Sequence, residues 1–282
     1  MQSAYDTEHL YNLAREIRKN IFKMAYKAGG GHIAPAFSAV EVLTALYFGG
    51  VLKYDAREPL AENRDRFIMS KGHASAALYA ILAQAGFLGV EELFSFCQDG
   101  SRLGGHPNMW EVPGVEASTG ALGHGLGFAS GIAMAKKLDK QDCHIYVLLG
   151  DGECQEGSIW EAALFAATQQ LDNLTVILDY NKLQAMDRLD NIVKMEPVID
   201  KWRAFGWDVE EVDGHDIPAL IAALTPKKQA GCAPRAVIAH TIKGKGVSFM
   251  EGVPIWHFRL PNAAELKIVL NELEMDMQEL VG

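Results

Sequence analysis

The sequence predicts an α/β fold, a parallel sheet with helices on both faces, and three observations predict it. Short apolar runs of strand length alternate with longer segments whose apolar residues recur at helical spacing. The chain has 282 residues, 49% hydrophobic and 22% charged, enough to bury one large core. No internal repeat, low-complexity tract or Pro/Ser-rich linker divides it, so a single domain is expected over residues 1–282. Strands separated by helices pair in parallel and are covered on both sides.

In chain order, Leu10, Leu13, Ala14, Ile17, Ile21, Met24, Ala25 and Ala28 mark a first helix that stops at Gly29-Gly30-Gly31. Ser38-x-x-Glu41 reads as a capping box for a second, which carries Val42, Leu43, Leu46 and Tyr47. A third runs from about His73 to Gly86, and a glycine-rich turn at Gly120 feeds an Ala-rich helix that reaches Lys137. A strand follows over His144 to Leu149, then a helix from Gln155 to Gln170 with its own box at Ser158-x-x-Glu161, then a strand over Leu174 to Asp179. Trp207 to Val212 and Arg235 to His240 complete the strands, with a helix opened between them by Asp216 and Pro218. Asn262-x-x-Glu265 opens the last helix, which sets Leu266, Val269, Leu270, Leu273, Met277 and Leu280 on one face.

The formal net charge of -10 and a pI near 5.4, with no basic block to offset them, argue against nucleic acid and against polybasic membrane attachment. The N-terminus opens on mixed charges (Asp6, Glu8, Arg15, Glu16, Arg18, Lys19), and no apolar run approaches membrane-spanning length. Cys97, Cys143, Cys154 and Cys232 are scattered without Cys-x-x-Cys or Cys/His grouping, which fits a reducing, cytoplasmic setting and neither a disulfide framework nor a zinc site. Gly120 to Gly127 fails the G-x-G-x-x-G test, because Phe128 and Ser130 stand where the third glycine belongs, and no P-loop string occurs.

The chemistry concentrates where two strands end. Leu148-Leu149-Gly150-Asp151-Gly152-Glu153 and Thr175-Val176-Ile177-Leu178-Asp179-Tyr180-Asn181-Lys182 are apolar runs that close on oxygen-bearing side chains, separated by one helix. Both ends therefore fall at one sheet edge, where open α/β sheets bind ligands. Mg²⁺ wants about six oxygens and usually takes one or two side-chain oxygens plus phosphate. Asp151 offers a carboxylate, Asn181 an amide oxygen and Leu183 a main-chain carbonyl; Ca²⁺ or Mn²⁺ would suit the same set. Gly150 and Gly152 let backbone approach a phosphate, and the following helix offers free N–H groups.

A Gly-Asp-Gly separated by this interval from an Asn resembles the signature of thiamine diphosphate enzymes, and the rest of the chain resembles the N-terminal half of a transketolase. Motifs similar to that family's appear in order: Gly31-His32; Ser70-Lys71-Gly72-His73-Ala74 with Leu78-Tyr79; Gly105-His106-Pro107; Ser118-Thr119-Gly120-Ala121-Leu122-Gly123; Gly150-Asp151-Gly152 with Gln155-Glu156-Gly157; Asp179-Tyr180-Asn181-Lys182; and Lys243-Gly244-Lys245-Gly246 with Trp256-His257. The resemblance implies a thiamine diphosphate-binding fold, Asp151, Asn181 and Leu183 on the metal, and His73, Gly120, Leu122, Asp151, Gly152, Glu153, Asn181, Lys243 and His257 on the cofactor. His32, His73, His106 and His257 would be catalytic, lining a channel where imidazoles bind sugar hydroxyls and move protons near neutral pH. His9, His124, His144, His215 and His240 receive no such role.

The implied reaction is transfer of a two-carbon ketol unit from a ketose phosphate to an aldose phosphate. Three positions depart from the family pattern: Pro35 near the first histidine, His124 in the glycine turn, and Phe258 after His257. Full-length relatives continue into a pyrimidine-binding domain, whereas this chain stops at Gly282. It is thus expected to be one half of a split enzyme, in a heterotetramer with a C-terminal transketolase subunit. Two alternatives stand beside this reading: the α subunit of a heteromeric 2-oxo acid dehydrogenase, and a non-catalytic regulatory subunit that retains the fold.

Overall fold

The computed structural model describes residues 6–227 and 233–281, so Cys232 and Gly282 lie outside the described residues. Helix α1 (Thr7–Lys27) starts on Asp6, whose carboxylate accepts the Glu8 and His9 N–H groups, and buries Leu10, Ala14, Ile17, Ile21, Met24 and Ala25 along one stripe. The buried helices α2 (Ile33–Phe37) and α3 (Val40–Phe48) follow directly. Next comes a strand that the sequence pattern does not reveal, β1 (Arg66–Met69). Its apolar run is three residues long and opens on Arg64, Asp65 and Arg66, charges whose cost is offset because both arginines pair with the half-buried Glu116.

The chain continues through α4 (Ser75–Gln84), α5 (Gly125–Leu138), β2 (Ile145–Gly150), α6 (Gly157–Thr168) and β3 (Leu174–Tyr180). After the short α7 (Leu189–Ile192) come α8 (Val198–Ala204), β4 (Asp208–Asp213), α9 (Ile217–Leu224), β5 (Arg235–His240), α10 (Ala263–Glu272) and α11 (Gln278–Val281). The five strands are all parallel, in the order β1-β2-β3-β5-β4. Their side chains alternate between two cores. Tyr146 and Leu148 face α1 to α4, α9 and α10, while Ile145, Val147 and Leu149 face α5, α6 and α8. Each fully buried Leu, Ile or Val contributes on the order of 1.5–3 kcal/mol.

Three local expectations are corrected. Ser38 and Ser158 do not cap: Ser38 Oγ donates to Asp179 Oδ2 and Ser158 Oγ to the Gly123 carbonyl, so longer-range acceptors take both hydroxyls. The last helix is two. Glu274 turns left-handed at φ 54°, and Asp276 with Glu279 forms a reciprocal cap that starts α11, so Leu273 and Leu280 stay buried while Met277 is exposed. The Asn262/Glu265 box and the Asp216 cap are present. Among the described residues no helix is long and apolar enough to cross a membrane.

Candidate active site

The loops leaving the carboxyl ends of β1, β2, β3 and β5 meet over one sheet edge, because Gly150 stands opposite Asp179 and Tyr180 opposite His240 in the register. They enclose a cavity of about 350 Å³. His73, His106, Gly120, Leu122, Asp151, Gly152, Glu153, Asn181, Leu183, Lys243 and His257 all line it. A larger depression, about 690 Å³, opens at the amino ends of the strands, and two of its three lysines, Lys53 and Lys137, are already matched to Asp142 and Asp172.

The cavity rests on a buried ion pair, Lys71 with Asp179. Lys71 Nζ also donates to the Pro35 carbonyl at 2.9 Å, and Asp179 also accepts from Ser38, Thr241 and Asn181 Nδ2. Burial alone would raise the Asp179 carboxyl; the Lys71 charge and these donors hold it below its usual range. Asp151, next to it, makes no ion pair among the described residues, and burial followed by the Asp179 charge pushes it up to about 7, although two backbone donors and the Lys71 charge act against the rise. Its Oδ1 accepts Gly152 N at 2.7 Å and its Oδ2 accepts Lys182 N. The amide of Asn181 is oriented by its bond to Asp179, and its Oδ1 accepts Leu183 N at 3.1 Å.

Lys243 Nζ donates to the Gln184 carbonyl at 2.9 Å, to that of Leu183 at 3.4 Å, and to His257 Nδ1 at 2.9 Å. Burial, then Lys71, lowers it to about 8. Because the ammonium donates to Nδ1, the proton of His257 sits on Nε2. Glu153 lines the cavity, yet its carboxylate accepts from Ser70 Oγ, Gly123 N and Gly150 N. Its contribution is to tie three loops together.

The four histidines of the sequence reading gather at the mouth. His32 lies 5.4 Å from His73, 5.2 Å from His257 and 6.4 Å from His106, ring centre to ring centre. Burial, then His106, lowers His32 to about 4; burial, then Lys243, lowers His257 to about 3; and His73 falls well below 6.5, chiefly by burial. These three rings are therefore neutral near pH 7. Phe258, largely exposed, stands edge-on to His32 at 4.8 Å. His124 is turned away, with Nδ1 against the Leu122 carbonyl.

A metal diphosphate fits this donor set. Among the described residues no cluster of three His, Cys, Asp or Glu could hold a metal alone. Asp151, Asn181 and the Leu183 carbonyl offer about half of an octahedral oxygen shell and leave the rest to a ligand. On the walls, Gln155 Nε2 and Gln184 Nε2 are buried without a partner among the described residues, an arrangement that calls for an acceptor. Gln184 lies against Gly152, where a Cβ would meet its Cγ at 3.0 Å. The sequence reading assigned no role to Lys71, Asp179, Gln155 or Gln184; a charge directly after or inside an apolar strand was the available signal for the first two.

The family model described as "Transketolase, thiamine diphosphate binding domain" matches residues 11–279. The chain belongs to the transketolase family. This membership decides between the enzyme readings of the sequence in favour of transketolase. The chain is 43% identical over 263 residues to one subunit of the apulose-4-phosphate transketolase of Phocaeicola vulgatus, spanning 93% of each chain. It is 40% identical over 271 residues to a 6-deoxy-6-sulfo-D-fructose transketolase subunit of Clostridium sp., spanning 96% of this chain and 97% of that one. The transketolase crystal structure from Campylobacter jejuni superposes with a TM-score of 0.89 at 32% identity, covering 96% of this chain but 44% of that one. This transketolase chain thus spans less than half of that solved relative.

Proposed function

We propose that this chain is the diphosphate-binding subunit of a split, heteromeric transketolase, acting over residues 1–282 as one domain and transferring a two-carbon ketol unit between sugar phosphates. The observation that carries the proposal is the convergence of Asp151, Asn181 and the Leu183 carbonyl with Lys243, His73 and His257 on one cavity. In this reading the three oxygens hold Mg²⁺, while Lys243, His73, His257 and the Gly152 backbone hold the diphosphate; Gly120 and Leu122 border the aminopyrimidine. Thiamine diphosphate, when bound, supplies the electron sink for breaking a ketose carbon–carbon bond. The protein orients and handles protons. His257 Nε2–H, the ring's single donor, goes to the diphosphate, while neutral His32 accepts or returns a proton at the mouth and His106 meets the substrate hydroxyls beside it.

The Phocaeicola relative is by name one subunit of its transketolase, which supports a partner for this chain, here proposed as the C-terminal subunit with the pyrimidine-binding domain in a heterotetramer. So do the exposed apolar side chains Phe128 on α5 and Leu164 and Phe165 on α6, two helices that pack on each other. Ketoses with an anionic far end, phosphate or sulfonate, are the proposed donors, following the substrates named for the two relatives. The thiols of Cys97, Cys143 and Cys154, which form no disulfide among the described residues, support a cytoplasmic location. The test is reconstitution. Purified chain should show no ketol transfer, and activity should appear on adding the partner and saturate at a one-to-one ratio. Turnover of ketose phosphate by the highly purified chain alone at ordinary enzyme rates would overturn the split-enzyme proposal.

A further inference from the structure

Lys243 reaches the cavity from the loop after β5, and the backbone of that loop is held on both sides of it. Upstream, Ile242 N–H donates to His215 Nε2 at 2.8 Å. Downstream, the Lys245 carbonyl accepts Arg18 Nε at 2.8 Å. One carboxylate joins the two anchors: Glu41 accepts Arg18 Nη1 and Nη2 at 2.6 and 2.7 Å and His215 Nδ1 at 2.9 Å. Since a backbone N–H only donates, His215 Nε2 must accept, which leaves its proton on Nδ1 for Glu41. Every polar atom of the histidine ring and both carboxylate oxygens are thereby engaged.

The loop is shaped to receive the arginine. Gly246 has φ +98°, and a Cβ there would meet Arg18 Cδ at 3.0 Å and Nε at 3.2 Å. The second glycine of Lys243-Gly244-Lys245-Gly246 is thus where the guanidinium passes against the main chain. Arg18 and Glu41 expose only 8% and 7% of their side chains. Burying such a pair yields little net stability over well-packed apolar residues, because desolvation offsets the attraction, but it does fix geometry. None of the three residues lines the cavity.

We infer that Arg18, Glu41 and His215 form a clamp, anchored in α1 and α3, that positions Lys243 for the cofactor's diphosphate and thereby orients His257. The inference rests on the cofactor reading above only for what Lys243 binds; the clamp on the loop stands on its own contacts. These are positioning residues and act through Lys243.

Two readouts test it. Amide hydrogen exchange on the chain monitors Ile242 to Lys245 directly, and calorimetry with thiamine diphosphate and Mg²⁺ on the complex with its partner monitors the diphosphate side. His215→Leu should accelerate exchange across Ile242 to Lys245 and weaken cofactor binding by roughly tenfold, whereas in a Lys243→Met background the same change should alter affinity by less than about twofold. His215→Gln, whose carboxamide can both accept from Ile242 and donate to Glu41, should restore most of the affinity. If His215→Leu does not fold, Gly246→Ala, which pushes Arg18 and leaves the Glu41–His215 bond, replaces it in the same cycle. Unchanged exchange, or an equal loss of affinity with and without Lys243, would overturn the clamp. If Lys243→Met by itself leaves affinity unchanged, the cofactor role of Lys243 fails instead, and exchange alone still judges the clamp.

Discussion

Replacing Lys71 by Met should destabilise the protein severely, by an amount the structure sets. The ammonium and the Asp179 carboxylate expose 2% and 0% of their side chains, and the variant leaves that carboxylate buried with neutral donors only, from Ser38, Thr241 and Asn181. Breaking a buried pair from one side costs about 3–5 kcal/mol. For a chain of this size that corresponds to a melting temperature lower by roughly 5–8 °C. The pH dependence gives the cause. In the parent, Asp179 is held below its unfolded value, so its contribution is present above pH 3.8 and is lost as pH falls. Without Lys71, burial dominates and the carboxyl rises above 3.8, so the variant's deficit grows as pH rises past that value and narrows under acid. Urea unfolding at pH 4 and pH 7 measures both, and the double variant Lys71→Met/Asp179→Asn should recover about 1 kcal/mol or more at pH 7. A deficit below about 1 kcal/mol, or one independent of pH, would refute the reasoning.

Asp151→Ala removes the proposed anionic metal ligand and should weaken Mg²⁺-dependent thiamine diphosphate binding by roughly a hundredfold; calorimetry on the reconstituted complex giving the parent affinity would refute that role for Asp151. Alanine at His32, His73, His106 or His257 should each lower turnover by about tenfold or more, with melting temperatures shifted by only about 2 °C; loss of folding without a kinetic defect would return these residues to a structural role. Acidifying the isolated chain from pH 7 to pH 5 should lower its stability. The unfolded chain protonates His32 and His257 near 6.5, while the folded one keeps them neutral down to about 4 and about 3, so stability rises with pH across that window. Discounted for solvent screening, the pair is worth about 1–2 kcal/mol, and a His32→Asn/His257→Asn variant that keeps the full slope of melting temperature against pH would contradict this.

What the sequence disclosed depended on how local the determinant was. Asp151 and Asn181 were legible because each directly follows an apolar strand run, so their shared edge follows from topology alone. Four histidines in glycine-flanked loops could be assembled through the family resemblance, although no spacing between His32 and His257 implies the 5.2 Å between their rings. Strand β1 was hidden by its length and by the arginines that Glu116 neutralises from a distant loop. Ser38 and Ser158 satisfied a local spacing rule, but Asp179 and Gly123 compete for the hydroxyls, and nothing near either serine in the chain reveals that. In the sequence Arg18 is one of several mixed charges near the N-terminus, and His215 receives no catalytic role. Their meeting with Glu41 is a contact across the fold.

Of the sheet's two edge strands, β1 is buried throughout, while β4 carries Asp208, Glu210, Glu211 and Asp213 along a partly open border. Two copies brought border to border would face carboxylates with carboxylates, so strand addition is disfavoured along β4. Surplus chain made without the proposed partner would therefore gather through the exposed apolar side chains of α5 and α6. It should form loose, dissociable clusters that dissolve when the partner arrives and do not stain as amyloid.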